Sequence, residues 1–402
     1  MEELMNRKRI GLLGVITSAA LAISVAVVPA AHAAGKTLVI WADADRTPVI
    51  RTASAAWAKA HNVTITVVLK DFGKVRDDLI TAAPKGLGPD IIVGAHDWVG
   101  QLAASGVITR LFTTNTSAFA KSSIDAFTYK GGLYGIPYAV ENVALFTNLN
   151  VVSAPPKTFE ELESTYMSLK AAGKIKAGLL VPAGDAYHNY PLFSGLGGYI
   201  FGSRGKSLNT KDLGIASAKF LTNAGKVDTW VTEGLIDKGT AYDFQLWYDN
   251  KAPYMITGPW NLATVKKSGI PYAITAVPSI AGNPARPFVG VQGFMMSKFA
   301  KNKLLARDYL TNVIGSDDFQ VAMYKLGSRL PALLSAAALE SSDKDVVAFG
   351  QYGATGVPMP NIPEMNSVWG DLGNAWTTTV QGKAKAAAAF TLAAKNIKKT
   401  LG

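Results

Sequence analysis

Cysteine is absent from the 402 residues. No disulfide can stabilise the fold, no thiolate can serve as nucleophile or metal ligand, and no cysteine is available for lipid attachment. Histidine is scarce: beyond residue 33 only His61, His96 and His188 remain, and none stands at metal-ligand spacing from another. His-Glu-x-x-His, a Walker loop and Gly-x-Ser-x-Gly are missing too. Gly195, Gly197, Gly198 and Gly202 miss the dinucleotide spacing. These absences predict no metal and no cofactor, and leave catalysis little to stand on. Basic charge is plentiful but unpatterned. Lys70, Lys74, Lys85, Lys121, Lys130, Lys251, Lys266 and Lys267 are scattered, with no basic run among interleaved aromatics. The excess reads as a solvated surface and predicts no nucleic-acid partner.

The one long apolar run lies at the N-terminus. Arg7, Lys8 and Arg9 precede an uncharged stretch from Ile10 to Ala31, which ends in Ala31-His32-Ala33. A basic flank, an apolar core and a small-x-small exit make a secretory signal, with cleavage expected before Ala34. The run is also about long enough to act as an uncleaved anchor. Pro29 to Lys36 is polar and turn-rich, which favours cleavage. Of the 40 basic and 29 acidic residues the signal holds three and two, so the exported part carries +10. It is long enough for two domains with substantial cores.

Lys36 to Trp41 reads as a buried strand. Thr47-Pro48 predicts a helix cap with a first-turn proline, and Val49, Ile50, Ala53, Ala56, Trp57 and Ala60 follow at helical spacing. Val63 to Leu69 is β-rich, Val75 to Ala83 helical, and Pro89 to Val93 a second buried strand. This alternation predicts an α/β domain with a largely parallel sheet. Ligands bind beyond the carboxyl ends of such strands, where Asp43, Asp45, Arg46, His96, Asp97 and Trp98 fall. Val140 to Phe146 is extended, Phe159 to Leu169 helical, and a second α/β region runs to about Ile280. Phe288 to Met296 is extended and leads back towards the first region. Helices dominate after Lys301, broken by Pro358, Pro360 and Pro363.

Carboxylates at element ends can bond hydroxyls, and aromatic faces can cover the C–H face of a sugar ring. Asp43, Asp45, Arg46, Asp97, Glu141 and Asp185 are the polar candidates; Trp98, Tyr187, Tyr190, Trp260 and Trp369 are the aromatic ones. Each has a plainer reading. Asp45 could cap the following helix, His96 reads better as a structural hydrogen-bonder, and Trp260 and Trp369 could be core. A glycoside hydrolase, which needs two carboxylates with one pKa raised, stays open through Asp43, Asp97, Glu141 and Asp185.

Seven motifs in order carry a resemblance. They are Trp41-Ala-Asp43-Ala-Asp45-Arg46, Gly88-Pro-Asp-Ile-Ile92, Ala95-His-Asp97, Ala139-Val-Glu141, Thr257-Gly-Pro-Trp260, Pro287-Phe-Val-Gly-Val291 and Met359-Pro-Asn-Ile-Pro-Glu-Met365, the last followed by Trp369. In this order they resemble maltose/maltodextrin-binding proteins, receptors of maltose-type ABC importers within the bacterial extracellular solute-binding family. The resemblance covers nearly everything after the signal. It implies a two-lobed periplasmic-binding-protein fold of type II, each lobe a mostly parallel sheet flanked by helices. The lobes would be 34–139 with 293–338 and 140–292 with 339–402, crossing near 140–143, 289–292 and 338–345.

The resemblance further implies a non-enzymatic monomer in the periplasm or on the outer face of the membrane. It would bind maltose or maltodextrin and deliver it to an ABC permease; trehalose and cellodextrin are the competing ligands. Asp43, Asp45, Arg46 and Asp97 would hydrogen-bond the sugar from the first lobe, and Glu141, just past the first crossing, would add another carboxylate. Asp185, Tyr187, Tyr190, Trp260 and Trp369 would meet it from the second. Four positions depart from the pattern. Gly94 stands where the best-known relatives have tryptophan, Trp98 for arginine, Asp43 for asparagine and Gly373 for arginine.

Overall fold

The structure is a computed structural model and describes residues 36–113, 115–205 and 207–402; the expected signal lies outside them. The chain begins with β1 (Lys36–Ala42), α1 (Arg46–Ala60), β2 (Val63–Leu69), α2 (Phe72–Ala82) and β3 (Ile91–Ala95). Leu38, Ile40 and Ala42 face a buried cluster with Tyr309 and Phe319, while Trp41 faces Val75 and Leu79. Burial on both faces explains why the strand reads as a continuous apolar run. Asp90 pins its neighbours: one carboxylate oxygen accepts from the Val39 N–H (2.9 Å), the other from the Lys301 and Asn302 N–H groups (2.7 and 3.0 Å). This gives the Gly-Pro-Asp motif a structural task.

The chain crosses to a second sheet through β4 (Ile136–Glu141) and β5 (Ala144–Asn148), so the expected single extended stretch is jointed at Asn142–Val143. There follow α3 (Phe159–Ala171), β6 (Leu179–Leu180), β7 (Tyr254–Thr257) and β8 (Tyr272–Thr275). Thr158 caps α3, its hydroxyl accepting from the Glu161 N–H at 3.1 Å. The long β9 (Phe288–Met296) returns to the first sheet. The rest is mostly helical: α4 (Asp317–Gly327), β10 (Leu330–Pro331), α5 (Lys344–Gly353), β11 (Val357–Pro358), α6 (Asn366–Val380) and α7 (Ala386–Leu401).

The first sheet has the order β10-β4-β9-β3-β1-β2, with β11 beside β9; the second has β8-β5-β7-β6. This is the expected α/β fold of two lobes. One feature of the sheets departs from expectation: they are mixed, not mostly parallel. β1 is parallel to β2 and β3, but β9 is antiparallel to β3 and β4, and β5 to β7 and β8. The cause is the crossing itself, because a strand arriving from the other sheet enters against the direction of the βαβ strands.

Two local expectations also change. α1 starts at Arg46, so Thr47 and Pro48 lie inside its first turn, and Asp45 makes no side-chain cap. Asp43 takes that place, its Oδ1 accepting from the Arg46 N–H at 3.0 Å. No described helix is long and apolar enough to cross a membrane.

Candidate functional site

The carboxyl ends of β1, β2 and β3 open on a cavity of about 630 Å3. Asp43, Asp45 and Arg46 follow β1; Lys70, Asp71 and Phe72 follow β2; Asp97 and Trp98 follow β3. The crossing strands β4 and β9 contribute Glu141 and Gln292. The second-sheet side contributes Asp185, Tyr187, His188 and Trp260, and the C-terminal region Met359 and Trp369. Ten of the eleven expected residues are therefore brought together. The exception is Tyr190. Its ring lies on Phe288 (centroids 3.4 Å apart, planes 12°) and faces away from this cavity.

Buried charges at the floor are held in pairs. Arg46 is ion-paired with Asp43, and its Nε donates to the Tyr138 hydroxyl at 2.7 Å. Burial works against this charge, yet Tyr138, Asp43 and Glu141 hold its pKa above the ordinary value. Glu141 uses both oxygens: Oε2 accepts from Arg329 Nε (2.7 Å) and Oε1 from Gln292 Nε2 (2.6 Å). Arg329 also reaches Asp45 at 3.7 Å and lies 5.8 Å from the Trp260 ring centre. Gln292 Oε1 is buried and has no partner among the described residues, which leaves an acceptor at the cavity wall.

Asp97 differs, because no cation pairs with it directly. Burial pushes its carboxyl up to about 6, against the opposing effects of the Trp369 indole N–H (3.0 Å to Oδ2) and the Arg76 charge. On the far wall Asp185 accepts from the Tyr187 N–H (2.8 Å) and contacts His188 Nδ1 at 2.6 Å. Burial opposes its charge, but these bonds keep its pKa below the usual carboxylate range. Tyr187 donates to the Glu141 carbonyl at 3.2 Å. Burial, with Glu141 and Asp185 nearby, raises its hydroxyl well above the ordinary value.

His96 lies just behind the cavity as the structural hydrogen-bonder that was expected. Its Nδ1 accepts from the Val291 N–H (3.0 Å) and its Nε2 donates to the Met359 carbonyl (2.9 Å), so one neutral ring ties β3 to β9 and to the segment after β11. Burial lowers its pKa to about 4.

Aromatic faces come from both walls. Trp98 packs on Phe72 at 4.9 Å, and Phe72 lies 5.0 Å from the Arg46 guanidinium. Opposite, Trp260 has Tyr187 at 6.1 Å and His188 edge-on at 5.3 Å. The departures at 94 and 98 are sterically linked. A Cβ on Gly94 would run into the Trp98 indole, so tryptophans at both positions exclude each other in this arrangement. At Gly373 a side chain would strike the Gly184 carbonyl, which approaches α6 too closely for arginine.

Sequence reasoning missed Lys70, Phe72, Arg76, His188, Gln292, Arg329 and Met359 as lining residues. Applying the strand-end rule to β2 would have found Lys70 and Phe72, and Gln292 stands one residue beyond the Val291 motif. Arg329 had no signal. Two sorts of group thus converge here: paired carboxylates with lone pairs to spare, and aromatic faces. They can hold a ligand rich in hydroxyls. Among the described residues no cluster suited to a metal ion is found.

Residues 52–350 match the model of a family described as bacterial extracellular solute-binding protein. A galactooligosaccharide-binding protein of Bacillus subtilis (strain 168) is 32% identical over 379 residues, 90% of this chain and 89% of that one. A maltodextrin-binding protein of the same organism is 29% identical, covering 85% of this chain and 84% of its own. A maltotriose-binding protein of Pyrococcus abyssi (strain GE5 / Orsay) is 28% identical over 76% of this chain and 69% of its own.

Proposed function

We propose, for a chain that belongs to the bacterial extracellular solute-binding protein family, that it captures a neutral oligosaccharide by lobe closure and delivers it to the permease of an ABC importer. The observation that carries this reading is the cavity between the two sheets, lined from both sides by paired carboxylates and aromatic faces. A ligand touching both walls binds the closed form better than the open one and shifts the population towards it. Asp43, Asp45, Arg46, Asp97 and Trp98 take hydroxyls and one ring face from the first lobe, and Glu141, just past the first crossing, adds another carboxylate. Asp185, Tyr187, Trp260 and Trp369 complete the grip from the second. The lobes are 34–139 with 293–338 and 140–292 with 339–402. No covalent step is involved. Residues 1–33 direct export, and the receptor works as a monomer.

The preferred ligand in this reading is an α-linked glucose oligomer, maltose or a maltodextrin. A second reading, a galactooligosaccharide, is favoured by the 32% identical relative and by the shift of an aromatic from position 94 to Trp98. Isothermal titration of the exported protein with maltotriose, a galactooligosaccharide and cellotriose tests both. Saturable, salt-insensitive heat with maltotriose alone supports the first; heat with the galactooligosaccharide alone replaces it by the second. Hydrolysis of any of them, seen by product analysis, would overturn the receptor reading in favour of a glycosidase.

A further inference from the structure

We propose that a second cavity, of about 310 Å3, is a separate binding site for a small anion carried on a six-membered ring. It sits behind the oligosaccharide cleft, within the second lobe. Along the extended segment Pro358–Met359–Pro360 the methionine lines the cleft while both prolines line the second cavity. The ring stack Tyr187–Phe288–Tyr190 completes the partition, with Tyr187 at the cleft end and Tyr190 at the other. The volume lies at the lower end of about 300–1,000 Å3 for small-molecule pockets, room for a single ring with its substituents.

Three features point to the occupant. The first is Tyr190. Its side chain is 2% exposed and lines this cavity, yet among the described residues no hydrogen bond engages its hydroxyl. The hydroxyl oxygen keeps contact with solvent, so a ligand oxygen would take the place of water on it. The Arg286 charge acts on this hydroxyl against the effect of burial. The second is the sign of charge. Lys219 and Arg286 line the cavity and form no ion pair among the described residues, and no carboxylate lines it. Asp212, near the rim, is engaged by the Tyr199 hydroxyl at 2.6 Å. This differs from the cleft, which is lined by side chains of both signs, most of the acids there being paired. The third is the apolar wall: Phe201 and the prolines offer faces for a ring beside Phe288, whose own faces are covered by Tyr187 and Tyr190, while the lining Ser194 hydroxyl and Asn283 amide already donate to backbone carbonyls. Cations over an apolar slot with one unengaged tyrosine hydroxyl fit an anionic ring, either a sugar acid or an aryl acid.

The test is isothermal titration of the exported protein with glucuronate and 4-hydroxybenzoate, against glucose and benzyl alcohol as uncharged counterparts. We expect saturable single-site binding of at least one anion. Glucuronate alone would assign a sugar acid and 4-hydroxybenzoate alone an aryl acid. Arg286→Gln, on an exposed side chain, should weaken binding by roughly tenfold, the scale of one charge-assisted hydrogen bond. Tyr190→Phe should weaken it less, and Trp260→Ala, in the cleft, should leave it unchanged. No binding of either anion, equal binding of the uncharged compounds, indifference to Arg286→Gln, or loss in Trp260→Ala would each overturn the proposal. The last result would place the anion in the cleft.

Discussion

Replacing Asp97 by asparagine should stabilise the protein at neutral pH while leaving it nearly unchanged in acid. The carboxyl is 6% exposed, and burial lifts its pKa from the ordinary 3.8 to about 6. Between those values the native state keeps a proton that the unfolded chain has lost. Stability must therefore fall as pH rises from about 4 to about 6, and the penalty stays constant above that. Two pKa units at about 1.4 kcal/mol each set an upper scale of about 3 kcal/mol. The amide introduced by Asp97→Asn cannot ionise, yet its carbonyl can still accept from the Trp369 indole N–H, which donates to Asp97 at 3.0 Å. The assay is urea unfolding of both proteins at pH 4.5, 6 and 8, read as the difference between them, so that other titrating groups cancel. The gap should be small at pH 4.5 and reach about 1–3 kcal/mol in favour of the variant at pH 8. A gap independent of pH, or one that grows in acid, would refute the reasoning.

Gly94→Ala drives a methyl group into the Trp98 ring; overpacking of this kind costs about 1–3 kcal/mol, and thermal melting should show the loss and Trp98→Ala in the same chain should relieve it. Arg329→Met strands Glu141 without its cation in a site where both side chains are 6% exposed. That should cost about 3–5 kcal/mol in chemical unfolding, with much of it regained when Glu141→Gln is added. Trp260→Ala removes a ring from the second-lobe wall and should weaken oligosaccharide binding by about 1–2 kcal/mol; an unchanged titration curve would take Trp260 out of the site.

Strands buried on both faces announce themselves as apolar runs, so β1, β3 and β9 were readable from residues alone. Their direction was not, because an apolar run reports burial and carries no sign of which end enters the sheet. β10 and β11 are two residues each, too short for any period to show. Arg329 precedes β10 directly, which is why the cation of the floor went unseen while its partner Glu141 stood in a recognisable motif. Tyr190 shows the opposite failure. An aromatic after a loop carboxylate looks like a ligand platform, but the first turn of the helix Tyr190–Gly195 rotates it onto Phe288. Asp43 was read as a contact from the strand-end rule, and the structure adds a second duty for it, closing the first turn of α1.

The pairing of charges in the cleft decides what kind of ligand can enter. Asp43 is taken by Arg46, Glu141 by Arg329 and Gln292, Asp185 by His188, and Asp97 by the Trp369 indole. Each carboxylate still has a lone pair to offer, and a hydroxyl can use it without breaking the existing bond. A charged ligand would have to displace one partner and leave the other buried and unpaired, a cost of several kcal/mol by the same reasoning as for Arg329. Neutral polyols avoid it. The Trp369–Asp97 bond also joins the C-terminal region to a group that follows β3, and Tyr187–Glu141 joins the second-sheet side to the end of β4. In the proposed closure, opening the cleft would break the Trp369–Asp97 bond, so the closed form would carry part of its own stabilisation and the ligand would supply the remainder through hydroxyls shared between the two walls.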